Sequence, residues 1–396
     1  MKILFLTHTS PYPPDDGMRS TCYALLKEMS ERHEVSLLSL VESEDEARQI
    51  EHIRPWLKSM RAIQHRIPRS AAHRLWNLFA ERRPFCVVQF QNDDFGSALG
   101  ELLAQEKFDL VHFTSINIAG HRDRLGKTPG LFFPHDSVSM QFHRNARRET
   151  NLFKKIYLYL QARKARQFEK TEIPKFASTV MVSDVDRKWI LDFLPQAKIS
   201  VIPAGVDPER FKPRSVLDDF PSVIFRGVMN FIPNSDAVLY FYHDILPLIQ
   251  KDFPNLKFYV VGKFPPPNIR ALDNGSSVIV TGRVEDIGEL MAKATVNICP
   301  MRSGSGIKNK ILEAWSMERA VVATSLACEG IDVSNDQDIL VADSPQKFAE
   351  QVIRLLKDPA LRASLGRAGS EKCLAHYSWK SAAARFEKIY KNVTKT

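Results

Sequence analysis

The chain has 396 residues, 44% of them apolar and 26% charged, with a formal net charge of +9. That length predicts two domains, and the apolar share fills two packed cores, so global disorder is excluded. Gly and Pro number 17 and 23, ordinary counts that exclude a collagen-like chain, and no uncharged apolar run approaches the ~18 residues that span a bilayer.

Lys2–Leu6 is predicted as a first buried strand. It is not read as a signal peptide, because Pro11, Pro13, Pro14 and the Asp15-Asp16 pair stop the apolar run and no small-residue cleavage site follows. A 3.6-period stretch from Ser20 to Ser30 leads to a second strand at Val35–Leu40. Leu110–Phe113, Leu131–Phe133, Thr179–Val182 and Ile199–Ile202 are further strand candidates. After the turn Val201-Ile-Pro-Ala-Gly-Val-Asp-Pro208 a second series begins, with strands at Ser222–Phe225, Lys257–Val261, Val278–Thr281, Thr295–Cys299, Ala320–Ala323 and Ile339–Val341. Helical stretches at Asp236–Gln250, Glu285–Lys293, Lys308–Met317 and Ser344–Leu356 separate most of them. This βαβα rhythm predicts an α/β chain with two parallel, Rossmann-like sheets, and ligands beyond the carboxyl ends of their strands. The predicted domains are 1–203 and 204–377. Trp379, Phe386, Ile389, Tyr390 and Val393 form a helical stripe over about 378–396 that lies on the second domain or crosses back to the first.

The charge is uneven. Residues 51–200 hold 25 Lys+Arg against 15 Asp+Glu, a balance of +10, while residues 201–350 hold 15 against 19, a balance of −4. The last 46 residues hold 10 against 3, or +7. A basic first half suggests an anionic surface or substrate; ordinary solvated basic faces are the alternative. The five cysteines are odd in number, far apart and without a CxxC pair. That argues against a disulfide framework or zinc site and fits a reducing cytosol.

The stretch Gly304-Ser-Gly-Ile-Lys-Asn-Lys-Ile-Leu-Glu313-Ala-Trp carries the most chemistry. Two glycines let a backbone approach a ligand, and the following helix start suits a phosphate. Lys308 and Lys310 add positive charge there, and Glu313 is placed to accept hydrogen bonds from sugar hydroxyls such as a ribose. A glycine turn followed by a surface Glu is the plain alternative.

At this stretch the chain resembles the GT-B glycosyltransferases of family GT4. The matching blocks are Pro11-Tyr-Pro-Pro-Asp-Asp-Gly17, His135-Asp136, Val182-Ser183, Ile202-Pro-Ala-Gly-Val-Asp207 with Phe211, Val260-Val-Gly262, Val280-Thr-Gly282-Arg-Val284, Gly306 through Glu313-Ala314, and Tyr377-Ser-Trp379. They span essentially the whole chain. A subgroup with Pro-Asn in the second domain's opening loop is most similar, and many of its members build bacterial exported or cell-envelope polysaccharide. The resemblance implies two Rossmann-like domains facing across a deep cleft, a nucleotide-sugar donor, no essential metal and no cofactor. It implies that Glu313 holds the ribose, that Gly304, Ser305, Gly306, Ile307, Lys308 and Lys310 flank the diphosphate, and that Arg283-Val284 edges the base. His135 would face the transferred sugar, and the loop ending in Gly17 would approach the donor or acceptor.

The chain departs from the family pattern at two places. Ser305 stands where a Glu is common, eight positions before Glu313. Gly227 is followed by Val228 and Met229, so the usual Arg/Lys diphosphate pair is missing there. Arg226, Arg19, Lys308 and Lys310 are the candidates to supply that charge. Asp184-Val-Asp186 resembles a metal-binding DxD, but the apolar pattern of Trp189, Ile190 and Phe193 makes Ser183 or Asp184 a helix N-cap instead.

Two basic segments, Arg61–Arg83 and Arg144–Lys170, interleave cations with apolar residues. The first carries Arg66, Arg69, Arg74, Arg82 and Arg83 beside Leu75, Trp76, Leu78 and Phe79. They suit an anionic membrane surface, or they pack on their own sheet with the charges solvated. No recognition motif supports nucleic-acid binding. The resemblance implies a glycosyltransferase that uses a saccharide or lipid-linked acceptor and retains the anomeric configuration, and together with the basic segments it makes the expected location cytoplasmic and peripheral on the inner membrane face. A non-catalytic nucleotide-sugar-binding homologue and a GT-B epimerase are the rivals.

Overall fold

A computed structural model describes residues 1–67, 70–216 and 218–395, with the backbone alone for 71–75. Arg69 of the first basic segment lies outside the described residues, as do the side chains of Arg74 and Leu75. The chain forms two compact units, residues 1–203 with 379–396, and residues 204–378.

Unit 1 runs β1 (Lys2–Thr7), α1 (Gly17–Ser30), β2 (Glu34–Val41), β3 (Ser59–Gln64), α2 (Ala71–Ala80), β4 (Leu110–Phe113), β5 (Gly130–His135), α3 (Val138–Arg148), α4 (Leu152–Glu172), β6 (Ser178–Met181), α5 (Asp184–Leu191) and β7 (Ile199–Val201), with further helices between, including Asp93–Gln105. Its strands are all parallel, in the order β3-β2-β1-β4-β5-β6-β7. Ile3, Leu4, Phe5 and Leu6 are fully buried, as expected where helices cover both faces of a parallel sheet and strands read as unbroken apolar runs.

Unit 2 repeats the plan with β8 (Ser222–Arg226), α6 (Ile232–Tyr240), β9 (Lys257–Val261), β10 (Val278–Gly282), α7 (Ile287–Lys293), β11 (Val296–Cys299), α8 (Asn309–Ser316), β12 (Val321–Ala323), β13 (Leu340–Val341), α9 (Pro345–Lys357) and α10 (Pro359–His376). The order is β10-β9-β8-β11-β12-β13, again all parallel. In both sheets the strand order reverses beside the first strand. That switch point, between β1 and β4 and between β8 and β11, opens a crevice at the carboxyl ends where such folds bind ligands.

The last helix, α11 (Trp379–Val393), belongs to unit 1. Phe386 and Tyr390 are fully buried there, and Glu387 pairs with His33 at 3.1 Å and Arg32 at 3.4 Å on the α1 side.

Several elements differ from the sequence reading, among them the unpredicted helix Asp93–Gln105. Strand β3 was absent from it, because an edge strand with Met60 as its one buried apolar residue shows no apolar run. Helix α10 was also absent, although Asp358 caps it and Pro359 opens it. Its Gly366 and Gly369 allow close packing: an added Cβ would lie 2.1 Å from the Glu318 carbonyl oxygen and 2.4 Å from the Trp315 ring. The helix read as Asp236–Gln250 starts earlier, at Ile232, and passes through a π turn at Phe241–Ile245. Pro247, which has no N–H to donate, follows that turn.

Candidate functional site

In unit 2 the carboxyl ends of β8, β9, β10 and the loop after β11 come together. Glycines make this possible. An added Cβ on Gly262 (φ +149°) would lie 1.7 Å from the Gly227 carbonyl oxygen, so the loops after β8 and β9 touch through backbone alone. Gly262 N–H donates to Gly282 O at 3.0 Å, and Arg283-Val284 follows directly, with Arg283 exposed. The loop after β11 turns through Gly304 (φ +109°) and Gly306 (φ +66°), conformations that a side chain disfavours.

Lys308 precedes α8 and is buried; its Nζ donates to Gly306 O at 2.6 Å and Ser305 O at 3.1 Å. The lysine therefore holds the glycine loop shut on itself while keeping a cation under it. Ile307 is half-buried between them. Lys310, the second residue of α8, donates to Asn234 Oδ1 at 2.9 Å and sits 4.2 Å above the Phe225 ring. Desolvation pulls its pKa down to about 8, with Arg226 and Lys308 repelling it further and Cys299 opposing them. Asn234 in turn donates from Nδ2 to Val228 O at 3.0 Å. It ties the loop after β8 to α8, a role the sequence reading did not give it; the Pro233-Asn234 pair it had noted was the available signal.

Arg226 and Glu313 form an ion pair, with both side chains largely buried. Arg226, one of the four candidates for the missing diphosphate charge, is tied to the carboxylate expected to hold the ribose. Three cations against one carboxylate leave this end of the sheet net positive beside the α8 N-terminus, where the helix dipole also favours an anion.

In unit 1, His135 ends β5 at φ +71° and its pairing with β6 is irregular there. Its ring stacks on Phe133 with centroids 4.1 Å apart. Burial drives its pKa down to about 3, with His8 adding to the effect and a hydrogen bond to the Thr114 backbone opposing it. Nε2 is buried with no protein partner. The ring is thus neutral, and Nε2 is left as an acceptor. Two histidines that the sequence did not single out lie just after β1 and within the neighbouring β4. His8 follows β1, with its pKa lowered to about 4 chiefly by burial. His112 in β4 is lowered to about 3 for the same main reason, and its Nδ1 lies 2.5 Å from Tyr390 Oη on α11.

Gly17 opens α1, where Asp16 caps the helix through Arg19 N–H at 2.9 Å. The Arg19 guanidinium pairs with Glu46 and lies 3.5 Å from Asp16. Two carboxylates therefore balance the charge of Arg19, a candidate for pairing with a phosphate. Ser183 caps α5 by accepting from Asp186 N–H at 3.1 Å, and Asp186 is buried, accepting from Ser137 N–H at 2.8 Å. Among the described residues there is no group of three or more His, Cys, Asp or Glu arranged to hold a metal ion.

Residues 16–210 match the family model "Glycosyltransferase Family 4", and residues 220–358 match "Glycosyl transferases group 1". An uncharacterised 44.6 kDa protein of the cps region of Klebsiella pneumoniae is 23% identical over 378 residues, 90% of this chain and 91% of that one. Sucrose-phosphate synthase from Thermosynechococcus elongatus superposes with a TM-score of 0.74 at 14% identity, covering 99% of both chains. Anabaena HepE, solved in complex with UDP and glucose, gives 0.68 at 13% identity, also covering 99% of both. Two parallel Rossmann-like sheets with these fold relatives define a GT-B protein. The chain belongs to glycosyltransferase family 4 and is a glycosyltransferase.

Proposed function

We propose that this enzyme moves a sugar from a nucleotide-sugar donor to a saccharide or lipid-linked acceptor of exported or cell-envelope polysaccharide, with retention at the anomeric carbon. It would act in the cytoplasm at the inner face of the membrane. The observation that carries the reading is the cluster at the unit 2 switch point, where Lys308, Lys310 and the α8 start converge with Glu313. The K. pneumoniae relative from a cps region and the UDP bound by Anabaena HepE support the polysaccharide and donor assignments.

In this reading the protein orients and stabilises charge rather than supplying a nucleophile. Lys308, Lys310 and the helix start take up the charge of the leaving diphosphate. Glu313 accepts from ribose hydroxyls, and Arg283-Val284 borders the base. Neutral His135 accepts a hydrogen bond from a hydroxyl of the transferred sugar through Nε2. No metal is required for these roles.

The experiment is a thermal-shift screen with UDP, GDP, ADP and dTDP and their sugars, followed by turnover in EDTA with and without acceptor. One nucleotide class should raise Tm, because a ligand that binds the native state stabilises it. Turnover should need an acceptor. Donor altered without an acceptor would make the chain an epimerase, and tight nucleotide binding without any turnover would make it a binding protein.

A further inference from the structure

Twelve large apolar side chains are exposed among the described residues, and seven lie on α2 and the first half of α4: Trp76, Phe79, Leu152, Phe153, Ile156, Tyr159 and Leu160. Scattered surface apolars need no explanation; a cluster does. Phe79 and Phe153 are 82% and 83% exposed. On α4, Leu152, Ile156 and Tyr159 follow the i, i+4, i+7 spacing, and Phe153, Ile156 and Leu160 follow i, i+3, i+7, so they share one side of the helix. The opposite side, with Leu158, Ala162, Ala165 and Phe168, is buried in the unit. The exposed stripe is therefore a second apolar face that the core does not use. Helix α2 is fastened beside it: Gln161 Nε2 donates to Asn77 Oδ1 at 2.9 Å, and Lys164 Nζ donates to the Asn77 and Glu81 carbonyls at 2.6 and 2.7 Å.

The charge around the stripe is predominantly positive, with Glu149 as the one carboxylate of the segment that is not buried. Residues 138–172 hold nine Lys+Arg and three Glu. Two of those Glu, Glu169 and Glu172, are buried. Arg147, Arg148 and Lys154 are exposed at the turn between α3 and α4. A second copy of this chain would set the same cationic patch against itself, which like charge opposes. A nucleic acid would satisfy the cations and leave the aliphatic stripe in water. An anionic bilayer satisfies both, with acyl chains for the apolar side chains and headgroups for the cations.

We propose that the α3–α4 turn and the adjoining face of α2 dock unit 1 on an anionic lipid bilayer, with Phe79, Leu152 and Phe153 entering the acyl boundary and Arg147, Arg148 and Lys154 on the headgroups. The inference rests on the lipid-linked-acceptor reading for its purpose, and its test is separate from that reading.

The full chain is sedimented with phosphatidylcholine vesicles, with and without phosphatidylglycerol, at low and high salt. Attachment should require phosphatidylglycerol and weaken with salt, because the Debye length shortens. The triple variant R147E/R148E/K154E should lower partitioning about a hundredfold, and F79S/F153S about tenfold. The Tm shift with nucleotide should be unchanged in both, showing that they fold and hold donor. No attachment at any salt, attachment equal in both variants, or a dimer in solution that F79S/F153S dissociates would each overturn the proposal, as would RNA displacing the vesicles. Donor turnover by the native chain, with no attachment of that native chain to vesicles, would leave the glycosyltransferase reading standing and remove this one.

Discussion

Arg226, the last residue of β8, is ion-paired with Glu313 on α8. The two residues are 87 positions apart in the chain and meet because β8 and β11 are neighbours in the sheet and α8 follows β11. The pair fixes the carboxylate's orientation at the carboxyl end of the first strand. It also means that removing either charge alone takes from the other its partner in a largely buried pair.

Glu313→Gln should therefore be the informative variant. It keeps the shape and a hydrogen-bond acceptor but loses the charge, and kcat/KM for donor should fall roughly 10–150-fold, the cost of about 1.5–3 kcal/mol for one charged hydrogen bond. Glu313→Ala should also lose stability, by about 3–5 kcal/mol, from the stranded Arg226. A second change, Arg226→Met, should recover part of that stability and none of the activity. Urea unfolding and steady-state kinetics on the same preparations separate the two losses. Wild-type kinetics in folded E313Q would take Glu313 out of the site.

Asn234 joins Lys310 to the loop after β8 through both ends of its amide. Asn234→Ala removes an acceptor from a desolvated ammonium and a donor from the Val228 carbonyl, at about 1–3 kcal/mol. Donor KM should rise about tenfold by calorimetry or kinetics. The pH dependence gives a second reading. Lys310 loses its charge near pH 8 rather than at its usual 10.5, so donor affinity should decline above about pH 8 in the native enzyme. Lys310→Met should bind donor weakly with no break there. An unchanged break in that variant would assign it to another group.

Tyr390→Phe should loosen α11. His112 Nδ1 has Tyr390 Oη at 2.5 Å, and its Nε2 is already buried without a partner. Without the hydroxyl, both ring nitrogens are stranded. A loss of about 1–3 kcal/mol is expected by urea unfolding, with faster amide exchange in 379–393. A stability equal to that of the native chain would show that the phenol contributes by packing alone.

Acid should destabilise the fold from an unusually high pH. His8, His112 and His135 titrate at about 4, 3 and 3 when folded, against 6.5 for an open chain. As pH falls through 6.5 the unfolded chain takes up protons first, so stability is lost from there down to the folded values, at up to about 1.4 kcal/mol per pH unit for each ring. Glu169 runs the other way. Burial, partly offset by bonds from Ser137 and Ser139, raises its pKa from 4.5 to about 7. The native state binds that proton first, so Glu169 adds stability as pH falls from about 7 to 4.5. Glu169→Gln should therefore steepen the acid loss, measured by urea midpoints across that range. An identical slope in the variant would rule out Glu169 as a titrating group.

Much of the architecture was legible in the chain. The central strands of both sheets, at Lys2–Thr7, Leu110–Phe113, Ser222–Arg226 and Val296–Cys299, carry apolar runs because helices bury them on both faces. Edge strand β3 was not legible, since one-sided burial leaves no run. The glycine turn at 304–306 was legible as well, because positive φ demands glycine and the cations after it are local.

What the sequence by itself determined is the order of elements, the two-sheet α/β plan, the position of the glycine loop and the basic character of unit 1. Each of these follows from residue types over short spans, where periodicity and backbone preference act. What only the tertiary structure decided is the state of each charge. Arg19 and Arg226 look alike in sequence as free cations, yet Glu46 and Glu313 neutralise them. Lys310 is an ordinary lysine until desolvation, together with the nearby Arg226 and Lys308 charges, lowers its pKa. Likewise α4 carries one apolar face into the core and leaves a second outside. Ion pairing and desolvation depend on groups brought together across strand order and crossover connections, and a residue's neighbours in space leave no periodic trace in the chain.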